Sequence, residues 1–249
     1  MRVSILITGG TKGIGRGIAE RFASPGNQVF LNYVSDDAAA NAAAQAIADR
    51  GASPVLLKGD ITHHEGVSDL IERVRQETDS LDQLVHGAVY PYSTPLLSAD
   101  PDEFDRAVAL NGTALAHLTR SALPLLTPGS TVFFLSSRGS KVAVPNYAAV
   151  GAPKALGESL IRYLAIELAE FRIRAHVVSA SLVLTDAVRT LFGDAADERG
   201  RAAAAANPLG RNVDESDVAE VVHFLSTPAA EMLTGREIFI DGGTYIQAG

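Results

Sequence analysis

VSILITGGTKGIGRGIAERFA, running from Val3 to Ala23, decides the fold. Residues 3–8 form a continuous apolar run with strand character, Thr8 to Gly15 is a glycine turn, and residues 16–23 read as a helix. A strand that passes through glycines directly into a helix gathers backbone N–H groups and the positive end of the helix dipole at one point, which favours an anion such as a pyrophosphate. Gly9, Gly13 and Gly15 would let the backbone approach it, with Thr11, Lys12 and Ile14 in the same turn. The alternative is a tight turn that binds nothing. The position in the first strand-turn-helix unit favours dinucleotide binding.

Six further apolar runs have strand character, at residues 28–33, 53–58, 83–86, 131–136, 173–179 and 237–240. Helix-length segments such as 37–50 and 67–78 lie between them. Continuously apolar strands alternating with helices predict a parallel sheet covered on both faces. The expected fold is therefore a Rossmann-type doubly wound α/β domain in three layers, with residues 1–249 forming a single unit. Two stretches, 90–101 and 182–208, fit the alternation poorly. In such sheets the ligand lies beyond the carboxyl ends of the strands, where irregular loops gather, so both are candidate substrate walls.

Composition narrows the chemistry. Cysteine is absent, which removes disulfides, thiolate nucleophiles, Cys-based zinc sites and iron–sulfur ligation. The six histidines are scattered and predict no metal site. A net charge of −8 argues against nucleic acid or an anionic membrane as a partner. The longest uncharged apolar run, 121–137, is interrupted by Pro124, Pro128 and Gly129, so no spanning helix is expected, and the first residues lack signal-peptide character. The expectation is a cytoplasmic protein.

Further candidates for chemistry lie beyond the glycine turn. The second strand ends Leu31-Asn32-Tyr33-Val34-Ser35, without the acid that usually binds a ribose hydroxyl. Lys12 can instead meet a 2′-phosphate, unless it is only a solvated surface lysine. Asp60, with Ile61 after the third strand, can accept from an adenine amino group or cap the next helix. In LSSRGSKVAVPNYAAVGAPKALGESL, Tyr147 and Lys154 stand seven positions apart. On a helix they share one face about 10 Å apart, and so can address one ligand from two points. The bland reading is a packed tyrosine, a solvated lysine, and Ser136 and Ser137 as strand-end residues satisfying local backbone groups.

Taken together, these motifs resemble the short-chain dehydrogenase/reductase superfamily over nearly the whole chain. The resemblance rests on TGGTKGIG, Asp60, Asn111 in Ala109-Leu110-Asn111-Gly112, the Ser136-Ser137 pair, Tyr147, Lys154, and Leu233-Thr234-Gly235 followed by Ile240-Asp241-Gly242-Gly243. Most members carry the lysine four residues after the tyrosine, where this chain has Gly151. The wider spacing is similar to enoyl-acyl-carrier-protein reductases, as are Pro145-Asn146-Tyr147, Val150-Gly151 and Lys154-Ala155. Spacing and chemistry agree. Hydride addition to Cβ of an enoyl thioester develops charge on an oxygen three bonds away, and moving the tyrosine three helical positions displaces its anchor by about 4.5 Å.

The resemblance implies NADPH as cofactor and a trans-2-enoyl thioester on acyl-carrier protein or coenzyme A as substrate, reduced by a homotetramer. It implies that Lys154 holds the nicotinamide ribose, Tyr147 stabilises the enolate, Ser137 adds a hydrogen bond, and Asn111 completes the catalytic set. It also implies cofactor contacts from Asn32, Asp60, Ile61, Gly87, Val183 and Thr185, the last to the nicotinamide carboxamide. Residues 184–208 would form a mobile lid over the acyl chain, with Leu191 and Phe192 facing it. Arg199, Arg201 and Arg211 would lie near its rim, unless Asp186, Asp194, Asp197 and Glu198 neutralise them on a solvated face. The alternatives are a ketoreductase and a degenerate protein that binds NADPH without turnover.

Three departures from the superfamily pattern carry expectations of their own. The turn His86-Gly87-Ala88-Val89 predicts a structural role for His86, and Ser181-Leu182-Val183-Leu184-Thr185 replaces the usual Pro-Gly. Pro153 removes a hydrogen bond to the Ala149 carbonyl, so the helix kinks or a new one starts near Pro153.

Overall fold

The computed structural model describes residues 3–246, and its seven strands all pair in parallel. They are β1 (Ser4–Thr8), β2 (Gln28–Tyr33), β3 (Ser53–Lys58), β4 (Leu81–His86), β5 (Leu126–Ser137), β6 (Arg174–Ala180) and β7 (Glu237–Ile240). Their order across the sheet is β3-β2-β1-β4-β5-β6-β7, so the direction of winding reverses between β1 and β4. That switch point opens a crevice beyond the strand ends. Register aligns Asn32, Thr8, His86 and Phe134 on adjacent strands, directly beneath it.

The apolar strand runs are buried on both faces, as a three-layer fold requires. Leu6, Phe30, Leu84 and Phe134 pack to one side, with α3 (His64–Arg75), α5 (Ala114–Ala122) and α6 (Ala148–Glu167). Ile5, Ile7, Val29, Leu31 and Phe133 pack to the other, with α1 (Gly13–Phe22), α2 (Asp37–Ala48) and α9 (Glu215–Ser226). Phe133 and Phe134 are neighbours in sequence yet serve opposite cores, both fully buried. Truncating either to Ala would cost about 3–5 kcal/mol.

Two sequence expectations need correction. The stretch 182–208 is not irregular, because it contains α7 (Asp186–Phe192), a 3₁₀ turn (Gly193–Ala195) and α8 (Ala196–Ala206). Alanine fills much of α8, so its inner face leaves no large-residue periodicity to read. Nor does a new helix begin at Pro153, because α6 runs through it unbroken. α4 (Pro101–Val108) and α5 are joined by a π-helical segment (Ala109–Thr113) that carries Asn111, whose side-chain amide donates to the Ala149 carbonyl at 3.1 Å. That is the acceptor Pro153 leaves unused.

Candidate active site

The crevice is a cleft of about 700 Å³. At one end lies the glycine turn. Gly9 has φ +68° and Gly13 φ +48°. A Cβ on Gly9 would stand 3.0 Å from the Ala88 backbone, one on Gly13 2.8 Å from the Thr185 methyl, and one on Gly15 would overlap the Gly9 carbonyl oxygen. Only bare backbone fits. Lys12 is the N-cap of α1 and makes no side-chain capping bond, so the turn brings the N-terminal N–H groups of this helix to the cleft.

Thr11, Ile14, Ile61, Gly87 and Val183 line the cleft, and several neighbours have structural duties. Asn32 is buried and donates to the carbonyls of Leu57 at 3.1 Å and Gly59 at 2.9 Å, fastening β2 to the end of β3. Asp60 does not cap α3, whose N-cap is His63. Its Oδ1 accepts from the N–H and hydroxyl of Thr62 at 2.9 and 2.5 Å, and Arg106 lies 3.3 Å from Oδ2. Thr185 is the N-cap of α7 and accepts from the Val188 N–H at 3.4 Å.

Sequence reasoning missed Asp36. It lines the cleft one residue beyond Ser35, caps α2 by accepting from the Ala39 N–H at 2.9 Å, and forms an ion pair with Lys12. Lys12 also lies 3.6 Å from Asp186 on α7. The hydrogen bond from Lys12 follows that from Ala39 in holding the Asp36 carboxyl below its ordinary range, and Asp36 in turn raises Lys12. An Asp immediately before an alanine-rich helix was a legible capping signal.

At the other end, Tyr147 is the half-buried N-cap of α6 and its hydroxyl meets Ser137 Oγ at 3.1 Å. Its ring rests on two glycines. A Cβ on Gly139 would overlap the ring, and one on Gly151 would overlap the Gly139 carbonyl oxygen. Position 151 therefore has no room for a lysine. Lys154, only 5% exposed, donates to the Leu135 carbonyl at 2.7 Å and lies over the Phe134 ring at 4.6 Å. Burial lowers its pKa to about 8, against the attraction of Glu158. Burial also raises the Tyr147 phenol, opposed by the Ser137 hydrogen bond.

Buried polar groups brace this end. His86 is structural, as expected: Nδ1 meets Thr8 Oγ1 and Nε2 meets the Leu110 carbonyl, both at 2.9 Å. The carbonyl can only accept, so Nε2 carries the proton. Burial, then the charge of Lys154, lowers the His86 pKa to about 3 and leaves the ring neutral. Asn111, expected in the catalytic set, has its side chain held by backbone groups. It accepts from the Tyr90 N–H at 2.8 Å and donates to the Tyr90 and Ala149 carbonyls at 3.1 Å, so backbone groups occupy both ends of the amide.

A second group escaped sequence reading. Ser136 donates to Glu158 at 2.6 Å, and Lys141 pairs with both Glu158 and, at 2.7 Å, Glu237. Burial alone would raise Glu158, but Lys141 and the hydroxyls of Ser136 and Ser140 outweigh it and hold the carboxyl below the usual range. This network ties the loop after β5 to α6 and β7.

The segment α7–α8 walls the cleft. Leu191 and Phe192 line it, Phe192 stacks on Tyr147 with ring centroids 6.2 Å apart, and the Arg199 guanidinium lies 4.3 Å above Phe192. Of the three arginines assigned to the rim, only Arg199 lines the cleft, while Arg211 is paired with Asp217 at 2.6 Å. Among the described residues, no group of three or more His, Cys, Asp or Glu side chains is arranged to hold a metal, and no helix is long and apolar enough to cross a membrane.

The sheet order, the glycine cradle and the Ser137–Tyr147 pair with Lys154 define a reductase fold with a nucleotide-sized cleft. Residues 9–245 match the family described as enoyl-(acyl carrier protein) reductase, so the chain belongs to that family of short-chain dehydrogenase/reductase oxidoreductases. It is 29% identical to 1-cyclohexenylcarbonyl-CoA reductase of Streptomyces collinus, over 98% of this chain and 87% of the relative. Angucycline C-6 ketoreductase LanV with bound NADP superposes with a TM-score of 0.89 at 27% identity, covering 98% of this chain and 96% of LanV. A short-chain dehydrogenase from Burkholderia cenocepacia in complex with NADP gives a TM-score of 0.88 at 25% identity, covering 98% of both chains.

Proposed function

We propose that the protein reduces the double bond of a trans-2-enoyl thioester with NADPH. The observation that carries this reading is the closed position at Gly151, which leaves Lys154 as the lysine that lines the cleft near Tyr147. The wider spacing suits an acceptor oxygen remote from the carbon that receives hydride. The named relative from Streptomyces collinus, a reductase of a cyclohexenylcarbonyl thioester, supports the same chemistry.

The residues fit a dinucleotide, because side chains at Gly9, Gly13 and Gly15 would fill the cradle where a pyrophosphate would lie. Two neighbours named with NADP support the phosphorylated form. When bound, NADPH supplies the hydride. Lys12 would meet the 2′-phosphate, and Lys154 the nicotinamide ribose. Tyr147, a phenol whose pKa burial raises further, would donate a hydrogen bond to the thioester oxygen as charge develops there. Ser137 would orient that phenol. Leu191, Phe192, Val144 and Ala206 would give the acyl group an apolar wall, with α7–α8 acting as its lid.

The second reading is a ketoreductase, favoured by the direct Ser137–Tyr147 hydrogen bond and by the likeness to LanV. Matched enoyl and 3-ketoacyl thioesters, assayed by NADPH oxidation, separate the two. The enoyl substrate is expected to have the higher kcat/KM by about tenfold or more, a difference of about 1.4 kcal/mol in transition-state binding. A reversed ratio would establish ketone reduction. NADPH binding without turnover of either would identify a degenerate binding protein.

A further inference from the structure

Ser137 ends β5, Arg138–Ser140 form one 3₁₀ turn, and Lys141 follows. Ser140 Oγ donates to the Ser137 carbonyl at 2.8 Å and the Lys141 N–H to the Arg138 carbonyl at 3.0 Å, so residues 137–141 are tied to one another. Tyr147 rests on this turn twice, through its hydroxyl at Ser137 Oγ and through its ring against Gly139. Charge holds the far end. Lys141 pairs with Glu158, one helical turn along α6 from Lys154, and at 2.7 Å with Glu237 at the start of the edge strand β7.

We propose that Lys141 is a positioning residue for the reduction: clamped between Glu158 and Glu237, it fixes the turn that aims the Tyr147 phenol. The inference rests on the reading of Tyr147 as hydrogen-bond donor to the acceptor oxygen. The Glu158 side chain is 4% exposed and that of Glu237 19%, so water cannot replace the ammonium that serves both. Burial raises the Glu237 carboxyl above its ordinary range, with Lys141 opposing and Glu158 assisting. Without Lys141 the two acids would repel each other and the turn would lose its anchor. Ser136, next to Ser137, donates to Glu158 at 2.6 Å, so a shift of that carboxylate reaches the strand end directly. The other charged or titratable groups near the cluster are Lys154, Tyr245 and Arg138. Lys154 is committed to the Leu135 carbonyl and Arg138 lies over the Tyr245 ring, so neither stands between the two acids.

Lys141→Met keeps a long side chain and removes the charge. Steady-state kinetics on the best acceptor and NADPH binding followed by cofactor fluorescence provide the readouts. At about pH 7.5, kcat is expected to fall about tenfold while KM and the NADPH dissociation constant change less than about twofold, because the aim of the phenol matters mainly in the transition state. Lys141→Arg, which keeps the cation, should hold kcat within about threefold of the unaltered protein. Repulsion between the acids has two further consequences. In Lys141→Met the pair takes up a proton as pH falls, so the deficit should shrink to about threefold near about pH 5.5. Adding Glu237→Gln to Lys141→Met removes one of the two charges and should recover kcat by about threefold or more at about pH 7.5.

An unchanged kcat in Lys141→Met overturns the proposal, as does a loss that low pH and Glu237→Gln both fail to relieve, which would mean only a damaged loop. A loss of NADPH affinity as large as the loss of kcat also overturns it, by placing the effect on the cofactor. Tyr147→Phe, measured alongside, judges the underlying reading separately. Normal turnover in Tyr147→Phe removes both the reading and the clamp, whereas an impaired Tyr147→Phe beside a normal Lys141→Met removes the clamp alone. Reduction of a ketone in place of an enoyl thioester leaves the proposal standing, because the phenol then serves the ketone oxygen. Absence of turnover in the unaltered protein with any acceptor overturns both.

Discussion

The cleft carries a lysine at each end, and the two differ in almost every physical respect. The Lys12 side chain is 42% exposed, pairs with Asp36 and Asp186, and has its pKa raised by them. Lys154 is 5% exposed, donates to a main-chain carbonyl, and has its pKa lowered by burial to about 8. The first is a permanent cation with exchangeable partners. The second is held in place, and its charge is sensitive to pH. Solvent separates their duties: water screens the exposed lysine and lets it choose among anions, whereas burial fixes the other where a small change in its surroundings alters its charge.

The sharpest test of the buried end is Tyr147→Phe. If the phenol stabilises developing charge, kcat should fall about 100- to 1,000-fold with little change in KM, as for other oxyanion donors. Steady-state kinetics on the best acceptor measures this, and near-normal turnover would remove Tyr147 from that role.

Next in size is the charge on Lys154. Lysine is charged below its pKa, so if the reaction needs the cation, kcat/KM should decline as pH rises through about 8. Glu158 favours the charged form, and Glu158→Gln should therefore move that decline to lower pH. The corresponding change at the exposed end, Asp36→Asn, should leave the profile in place. Superimposable profiles for Glu158→Gln and the unaltered protein would show that Glu158 does not control the lysine.

A third test concerns Asn111. Asn111→Ala strips partners from three backbone groups, and unfolding in denaturant should show a loss of about 2–4 kcal/mol. Restoring an N–H with Pro153→Ala gives the Ala149 carbonyl a helical partner. The loss caused by Asn111→Ala should then shrink by about 1 kcal/mol in a double-mutant cycle. Additive effects would mean that the amide does not substitute for the missing helical bond.

The smallest effect is expected at the exposed lysine. Lys12→Ala should weaken NADPH about tenfold more than NADH at low salt, and that difference should narrow near 0.5 M salt as screening rises. Salt-independent discrimination would point to a contact other than Lys12.

Much of the sheet was legible in the sequence because strands buried on both faces must be apolar throughout, as Ile5 to Ile7 and Val132 to Leu135 are. The glycine turn was legible because Gly9 and Gly13 adopt positive φ, the first against the Ala88 backbone and the second against the Thr185 side chain. α8 was not, since alanine gives an inner face no contrast with its outer one. Asp36 lay one residue beyond the segment that was read for an acid. The Lys141–Glu158–Glu237 network and the support of Ala149 by Asn111 depend on side chains brought together by the fold, with no local pattern to announce them.

The glycine-on-glycine contact beneath Tyr147 also restricts the routes by which such a protein can change. A lysine introduced at position 151 overfills the space under the Gly139 carbonyl, while removal of Lys154 takes away the buried lysine that lines this end of the cleft. A side chain at position 151 therefore requires the loop at Gly139 to move first, so the position open to a lysine on α6 is set by a backbone contact from outside that helix.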